Sequence, residues 1–210
     1  MTRDNISYCT HAAEISKGHL MKIELLWEQL LGKGLEHLML YQNASIEAQS
    51  LIVGVLNDIP YRIQYQIVCD LNWNVQRMRV ADLLNDKVVE LIKNGEDWLD
   101  KENNPIEILH GCIDVDIMVT PFTNTLPIQR LRLKQNEAQE ISVVYISVPD
   151  LRVSKLDQRY TCISQGKDGG IYRYESLNSG FTSELKIDED GMVVDYPGIF
   201  KLAWKRKEDS

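Results

Sequence analysis

The sequence predicts a mainly β protein whose consecutive strands pair antiparallel into one large curved sheet or barrel. Two observations carry this. From Met21 onward apolar residues recur with period two in run after run, the spacing of strands with one face on a core. Short clusters of Asn, Asp, Gly and Pro separate the runs, so each strand can turn straight back on its neighbour.

The elements follow in order. Lys22–Leu30 and Gly34–Tyr41 flank the turn Gly32-Lys33-Gly34. Ser45–Leu56 fits a strand or a helix, and its place between strands favours a strand. Tyr61–Cys69 is the clearest alternation: Tyr61, Ile63, Tyr65, Ile67 and Cys69 share one face, and Arg62, Gln64 and Gln66 the other. Val75–Leu83 and Lys87–Ile92 are extended after the turns at Asn57-Asp58-Ile59-Pro60 and Asn85-Asp86, and Asn94-Gly95 marks the next turn. Trp98–Arg130, with Pro105, Pro121 and Pro127, is less regular and is expected to hold one or two short helices or a long loop. Alternation returns in Glu140–Val148, Arg159–Ile163, Ile171–Tyr174, Phe181–Ile187 and Gly198–Trp204, with turns at Gly169-Gly170 and Asp190-Gly191. No linker composition or internal repeat divides these runs, so residues 21–210 read as a single β domain. Residues 1–20 are small and polar and include His11 and His19; they are expected to form a loosely ordered leader, with a short helix as the alternative.

The chain has 210 residues and a net charge of −8, which argues against a general binder of nucleic acid or anionic membranes. The first residues lack an apolar secretory core, and no apolar run approaches the ~20 residues of a spanning helix. The expectation is a cytoplasmic protein with Cys9, Cys69, Cys112 and Cys162 as reduced thiols. Those cysteines lack zinc-ligand spacing, and His110-Gly111-Cys112 alone brings two candidate ligands together, so no metal or other cofactor is expected. A Cys112–His110 nucleophile pair lacks a marked third group to orient it. Gly166-Lys-Asp-Gly-Gly170 lacks P-loop spacing and Asp188-Glu-Asp-Gly191 lacks the glutamate that closes a calcium loop. Both read as hairpin turns.

The richest segment is Gly111–Arg130. Asp114 and Asp116 alternate with Ile113, Val115 and Ile117, so an extended chain puts both carboxylates on one face, ~7 Å apart. Such a pair suits acid–base chemistry on a glycosidic bond. It equally suits partners for Arg130, Arg132 or Arg159, and a structural or ligand-contact role is favoured over catalysis. Trp27, Trp73, Trp98 and the tyrosines would suit a core or the lining of a concave site for an amphiphile.

Trp27, Gly34-Leu-Glu-His37, Tyr65 to Asp70 and Trp73 resemble the opening of the bacterial family of putative glycolipid-binding proteins. Gly111-Cys-Ile-Asp-Val-Asp116 and Thr120-Pro-Phe-Thr-Asn-Thr-Leu-Pro-Ile-Gln-Arg-Leu131 resemble its most distinctive motifs, and Gln158-Arg-Tyr160, Tyr172-Arg-Tyr174 and Asp195-Tyr-Pro-Gly198 continue the likeness. Gln129 stands where the family is expected to have arginine. The resemblance implies a fold similar to lipoprotein-localisation factors: a strongly curved antiparallel sheet, an incomplete barrel, with short helices in the concavity. It also implies glycolipid binding. The leading expectation is therefore a non-enzymatic binding module. Apolar strand residues hold the tail of a small amphiphile such as a glycolipid, and Asp114, Asp116, Asn124, Arg130, Arg159 and Tyr160 hold its head. The alternatives are a hydrolase of a sugar-bearing molecule using Asp114 and Asp116, and a structural or interaction domain without a ligand.

Overall fold

The computed structural model describes residues 21–209, so the expected leader, with Cys9, His11 and His19, lies outside the described residues. Seven strands come first: β1 (Met21–Gln29), β2 (Lys33–Gln42), β3 (Ile46–Leu56), β4 (Ile59–Cys69), β5 (Val75–Asp82), β6 (Lys87–Asn94) and β7 (Asp97–Leu99). A 3₁₀ turn at Glu107–Leu109, β8 (Asp114–Ile117) and helix α1 (Phe122–Leu131) follow. The chain ends with β9 (Ala138–Ile146), β10 (Val153–Gly166), β11 (Gly169–Ser176), β12 (Thr182–Ile187), β13 (Val193–Tyr196) and β14 (Phe200–Asp209).

All fourteen strands belong to one sheet, in the order β7-β6-β5-β4-β3-β2-β1-β14-β13-β12-β11-β10-β9-β8. The first and last strands therefore pair at its centre, with Met21 opposite Asp209 and Gln29 opposite Phe200. Chain neighbours pair antiparallel, as the short turns dictate, except that β8 runs parallel to β9. The two edges, β7 and β8, are consecutive in the chain but do not pair, so the sheet is curved without closing into a barrel. The crossover spans that gap instead. Gly111 N–H donates to Glu96 O (3.0 Å) beside one edge, and Ile113 N–H donates to Ser142 O (3.2 Å) beside the other.

Ser45–Leu56 is a strand, and the irregular stretch holds the expected short helices. Two short strands, β7 and β13, have three and four residues, too few to show a period. The Gly166–Gly170 and Asp188–Gly191 segments are the expected hairpin turns.

The inward faces are those the alternation marks. Ile23, Leu25 and Trp27, then Leu38 and Leu40, then Ile63, Tyr65 and Ile67 are all buried. Helix α1 fills the concavity and parts two apolar clusters. Phe122 and Leu126 pack into the larger one, against β1–β5, while Ile128 and Leu131 face the smaller one, against β9–β14. Its ends are made by local chemistry: Thr120 Oγ1 accepts Phe122 N–H (3.0 Å), and Arg132 caps the C-terminus at φ +49°.

Two glycines let a buried ring approach the backbone. The Tyr61 hydroxyl donates to Gln29 and lies over Gly54 and Gly34, where a Cβ at Gly54 would meet the Tyr61 ring at 2.6 Å and Lys33 O at 2.8 Å. Gly54→Ala should therefore destabilise the protein by roughly 1–3 kcal/mol through overpacking. Gly95→Ala, at φ +59° in open space, should cost about 1 kcal/mol from the backbone alone. Urea unfolding of both variants checks the order.

Candidate functional site

Strand β8 points Val115 and Ile117 into the core and presents Asp114 and Asp116 together towards α1, as period two requires. Asp114 is fully buried, and Arg130 holds both its oxygens, through Nε (3.1 Å) and Nη2 (2.5 Å). Burial still raises the Asp114 pKa, because desolvation outweighs the attraction of Arg130 and of the more distant Lys93. Asp116 accepts from Gln158 Nε2 (2.7 Å) and Thr123 Oγ1 (3.2 Å) and has no cationic partner among the described residues, so burial raises its pKa too. Tyr160 donates to Asn124 Oδ1 (2.9 Å). On the other side of α1, Thr125 Oγ1 donates to Gly191 O (3.0 Å) and Gln129 Nε2 to Asp190 O (2.6 Å). Gln129 lies where a side chain on Gly191 would sit.

Five of the six expected contact residues, Asp114, Asp116, Asn124, Arg130 and Tyr160, thus converge on α1 and its supports. Arg159 stands apart: it faces outward and pairs with Glu140 and Glu175. Both Asp114 oxygens accept from Arg130 and the carboxylate is fully buried, the arrangement of a structural ion pair. His110 is exposed and bound to Asp97 (2.8 Å), while the Cys112 thiol is buried with its pKa pushed up by desolvation. This gives a nucleophile pair no support. Among the described residues no three His, Cys, Asp or Glu side chains converge as a metal set, and Cys69, Cys112 and Cys162 are free thiols.

A second buried carboxylate carries no overt motif. Glu36 occupies the inward position of β2 next to Leu38 and Leu40. Its Oε1 accepts from Tyr65 (2.7 Å) and Ser50 (2.8 Å), while Oε2 has no partner among the described residues. Desolvation, partly offset by the Thr120, Tyr65 and Ser50 hydroxyls, pushes its pKa up to about 7. The sequence signal was a lone acid in phase with inward leucines; Gln158, inward on β10, is of the same kind.

One open space, of about 490 Å³, lies beside the β1–β2 turn against Leu30, Lys33 and Val53, and another lies at the seam between the two sheet edges. A cleft of about 450 Å³ is lined by Asp70, Asn74, Val75, Gln76, Lys93, Gly95, Glu96, Gly111 and Ile113. Three separate turns build it. Asp70 folds its own turn by accepting from Asn72 N–H and Asn74 N–H (both 2.9 Å). Lys93 donates to Cys112 O (2.6 Å) and Glu96 O (3.1 Å) and lies over the Trp98 ring, 5.2 Å from its centroid. Burial lowers its pKa. Gly95 and Gly111, at φ +59° and +78°, leave the space beside them empty. Val75 gives the cleft an apolar floor and Ile113 an apolar wall, while the amides and charges make a polar rim. Apart from Gly111 at the end of the crossover, these positions carry no signal that would have joined them in sequence.

A model of the family described as "Putative glycolipid-binding" matches residues 24–202. Among solved structures, the crystal structure of a DUF1089-family protein from Pseudomonas aeruginosa is similar at 31% identity and a TM-score of 0.70, covering 80% of this chain and 91% of that one. None of the curated proteins matches.

Two predictions follow from the buried charges. For Glu36, the ordinary carboxyl pKa of 4.5 applies to the unfolded chain and about 7 to the folded one. Below pH 4.5 both states are protonated and nothing is lost. As pH rises from 4.5 to 7 the unfolded state ionises first, so stability falls, by about 3 kcal/mol once pH exceeds 7. Glu36→Gln should lack this decline, so its stability relative to the parent should rise across that window in urea titrations at stepped pH. Asp114→Asn leaves Arg130 without its counter-charge and should cost about 3–5 kcal/mol, whereas Asp114→Asn with Arg130→Met should recover part of that loss in a double-mutant cycle.

Proposed function

Because this chain belongs to the putative glycolipid-binding family, matched over residues 24–202, we propose that it is a non-enzymatic binder of a small amphiphile of the glycolipid class. One observation carries the reading beyond the family description: the seam cleft combines an apolar floor continuous with the core and a rim of amide, carboxylate and ammonium groups, at a volume suited to a small ligand. A sugar head needs paired donors and acceptors around its hydroxyls. Gln76, Asn74 and Glu96 supply both kinds, and Lys93 supplies a donor. The first methylenes of the tail would lie against Val75 and Ile113.

In this reading Asp114, Asp116, Asn124, Arg130 and Tyr160 serve the ligand by fixing α1 and β8 behind the cleft. Arg159 belongs to a different surface.

Native mass spectrometry of protein purified from cells, joined to thermal-shift assays with a glycolipid panel, checks the reading. The expected result is a co-purifying lipid or a stabilising head group. Gln76→Ala combined with Glu96→Gln should weaken that binding roughly tenfold without lowering the unfolding temperature of the free protein, since both side chains lie on the exposed rim. The absence of both a bound lipid and a thermal shift with every panel member would sink the proposal.

A further inference from the structure

We infer that the end of the sheet carrying the β1–β2, β3–β4 and β5–β6 turns docks on a zwitterionic phospholipid bilayer. Three observations place this surface. Antiparallel register brings the three turns to one end: Lys33 pairs with Val55, and Leu83 N–H donates to Arg62 O (2.8 Å). Adjacent hairpins are therefore about 10 Å apart, two strand spacings. Each tip exposes large aliphatics, Leu30 (44%) and Leu31 (57%) on the first, Ile59 (50%) on the second, and Leu83 (41%) and Leu84 (51%) on the third. Behind the tips Val53 and Val55 continue the apolar surface along β3. The three turns at the opposite end carry one such residue, Leu71. The crossover at that end adds Ile113, but the three adjacent tips join such residues across neighbouring hairpins, and contiguous exposed apolar surface marks a contact surface rather than scattered surface residues.

The charges select the partner. The chain carries −8 overall, yet at this end Lys33, Arg62 and Lys87 stand among Glu28, Asp58 and Asp86. None of these six forms an ion pair among the described residues. Cations free to meet phosphate and carboxylates free to meet a quaternary ammonium match a zwitterionic head group. The net negative charge repels an anionic surface. The aliphatic tips enter the acyl boundary, as exposed apolar side chains do at membrane interfaces. The surface lies at the opposite end of the strands from the seam cleft, so the inference does not depend on what the cleft holds.

Co-sedimentation of the full chain with phosphatidylcholine vesicles tests it. The parent protein should pellet with the vesicles, and less so as phosphatidylglycerol is added. Leu30→Ser with Leu31→Ser, and separately Leu83→Ser with Leu84→Ser, should each weaken binding at least about tenfold while circular dichroism stays that of the parent. The Gln76→Ala, Glu96→Gln variant should pellet as the parent does, which separates failure at this surface from failure of the cleft. A parent protein that stays in solution, serine variants that pellet unchanged, or binding that requires the anionic lipid would overturn the inference. So would a dimer, seen by sedimentation velocity, that the serine variants dissociate, since the surface would then face a second copy.

Discussion

A ten-residue helix has to fill the inside of a fourteen-stranded sheet, and half of the side chains it brings are polar. Everything else in the concavity is arranged around that demand. Phe122, Leu126 and Ile128 supply the apolar contacts, but Thr123, Asn124, Thr125, Gln129 and Arg130 enter the same space and each needs a partner there. Strand β8 answers with two carboxylates, β10 with Tyr160, and the β12–β13 turn with two carbonyls. An apolar helix could slide in such a groove. This one is registered by directional bonds on both sides, and Pro127 within it, which donates no N–H, fits because packing rather than propensity holds the helix.

Buried charge is treated in three ways within this interior. Asp114 meets a guanidinium with both oxygens, the arrangement that best repays desolvation. Among the described residues, Asp116 has neutral donors alone, and Glu36 has three hydroxyl neighbours with one oxygen unpartnered. In all three, burial raises the pKa, because in a dry site neither hydrogen bonds nor one nearby cation fully replaces water. The concavity therefore binds protons more tightly than the unfolded chain does.

The sheet also explains why the two open surfaces are unlike each other. At one end of the strands the curvature brings edge to edge without strand pairing, and the crossover bridges the gap with a few main-chain bonds, leaving a polar cleft. At the other end the hairpins finish in free turns, and nothing in the fold requires leucine there. The motif alone leaves Asp114 free to pair with Arg130, Arg132 or Arg159, and the fold makes Arg130 that partner.

Sequence by itself determined the strands, their antiparallel order and the inward faces. These follow from a two-residue period and from turn residues that act locally, so Tyr61–Cys69 could be read without neighbours. It also determined that Asp114 and Asp116 share a face, and it held the family motifs around α1. The tertiary structure decided where the edges stop, which short segments become β7, β8 and β13, and which arginine pairs with which acid. It alone built the cleft, because residues 70–76, 93–96 and 111–113 meet across a seam set by the curvature of the whole sheet. Glu36 lies between the two cases: its inward phase is written in β2, but its raised pKa depends on hydroxyls from β3, β4 and the approach to α1, which no local pattern could bring together.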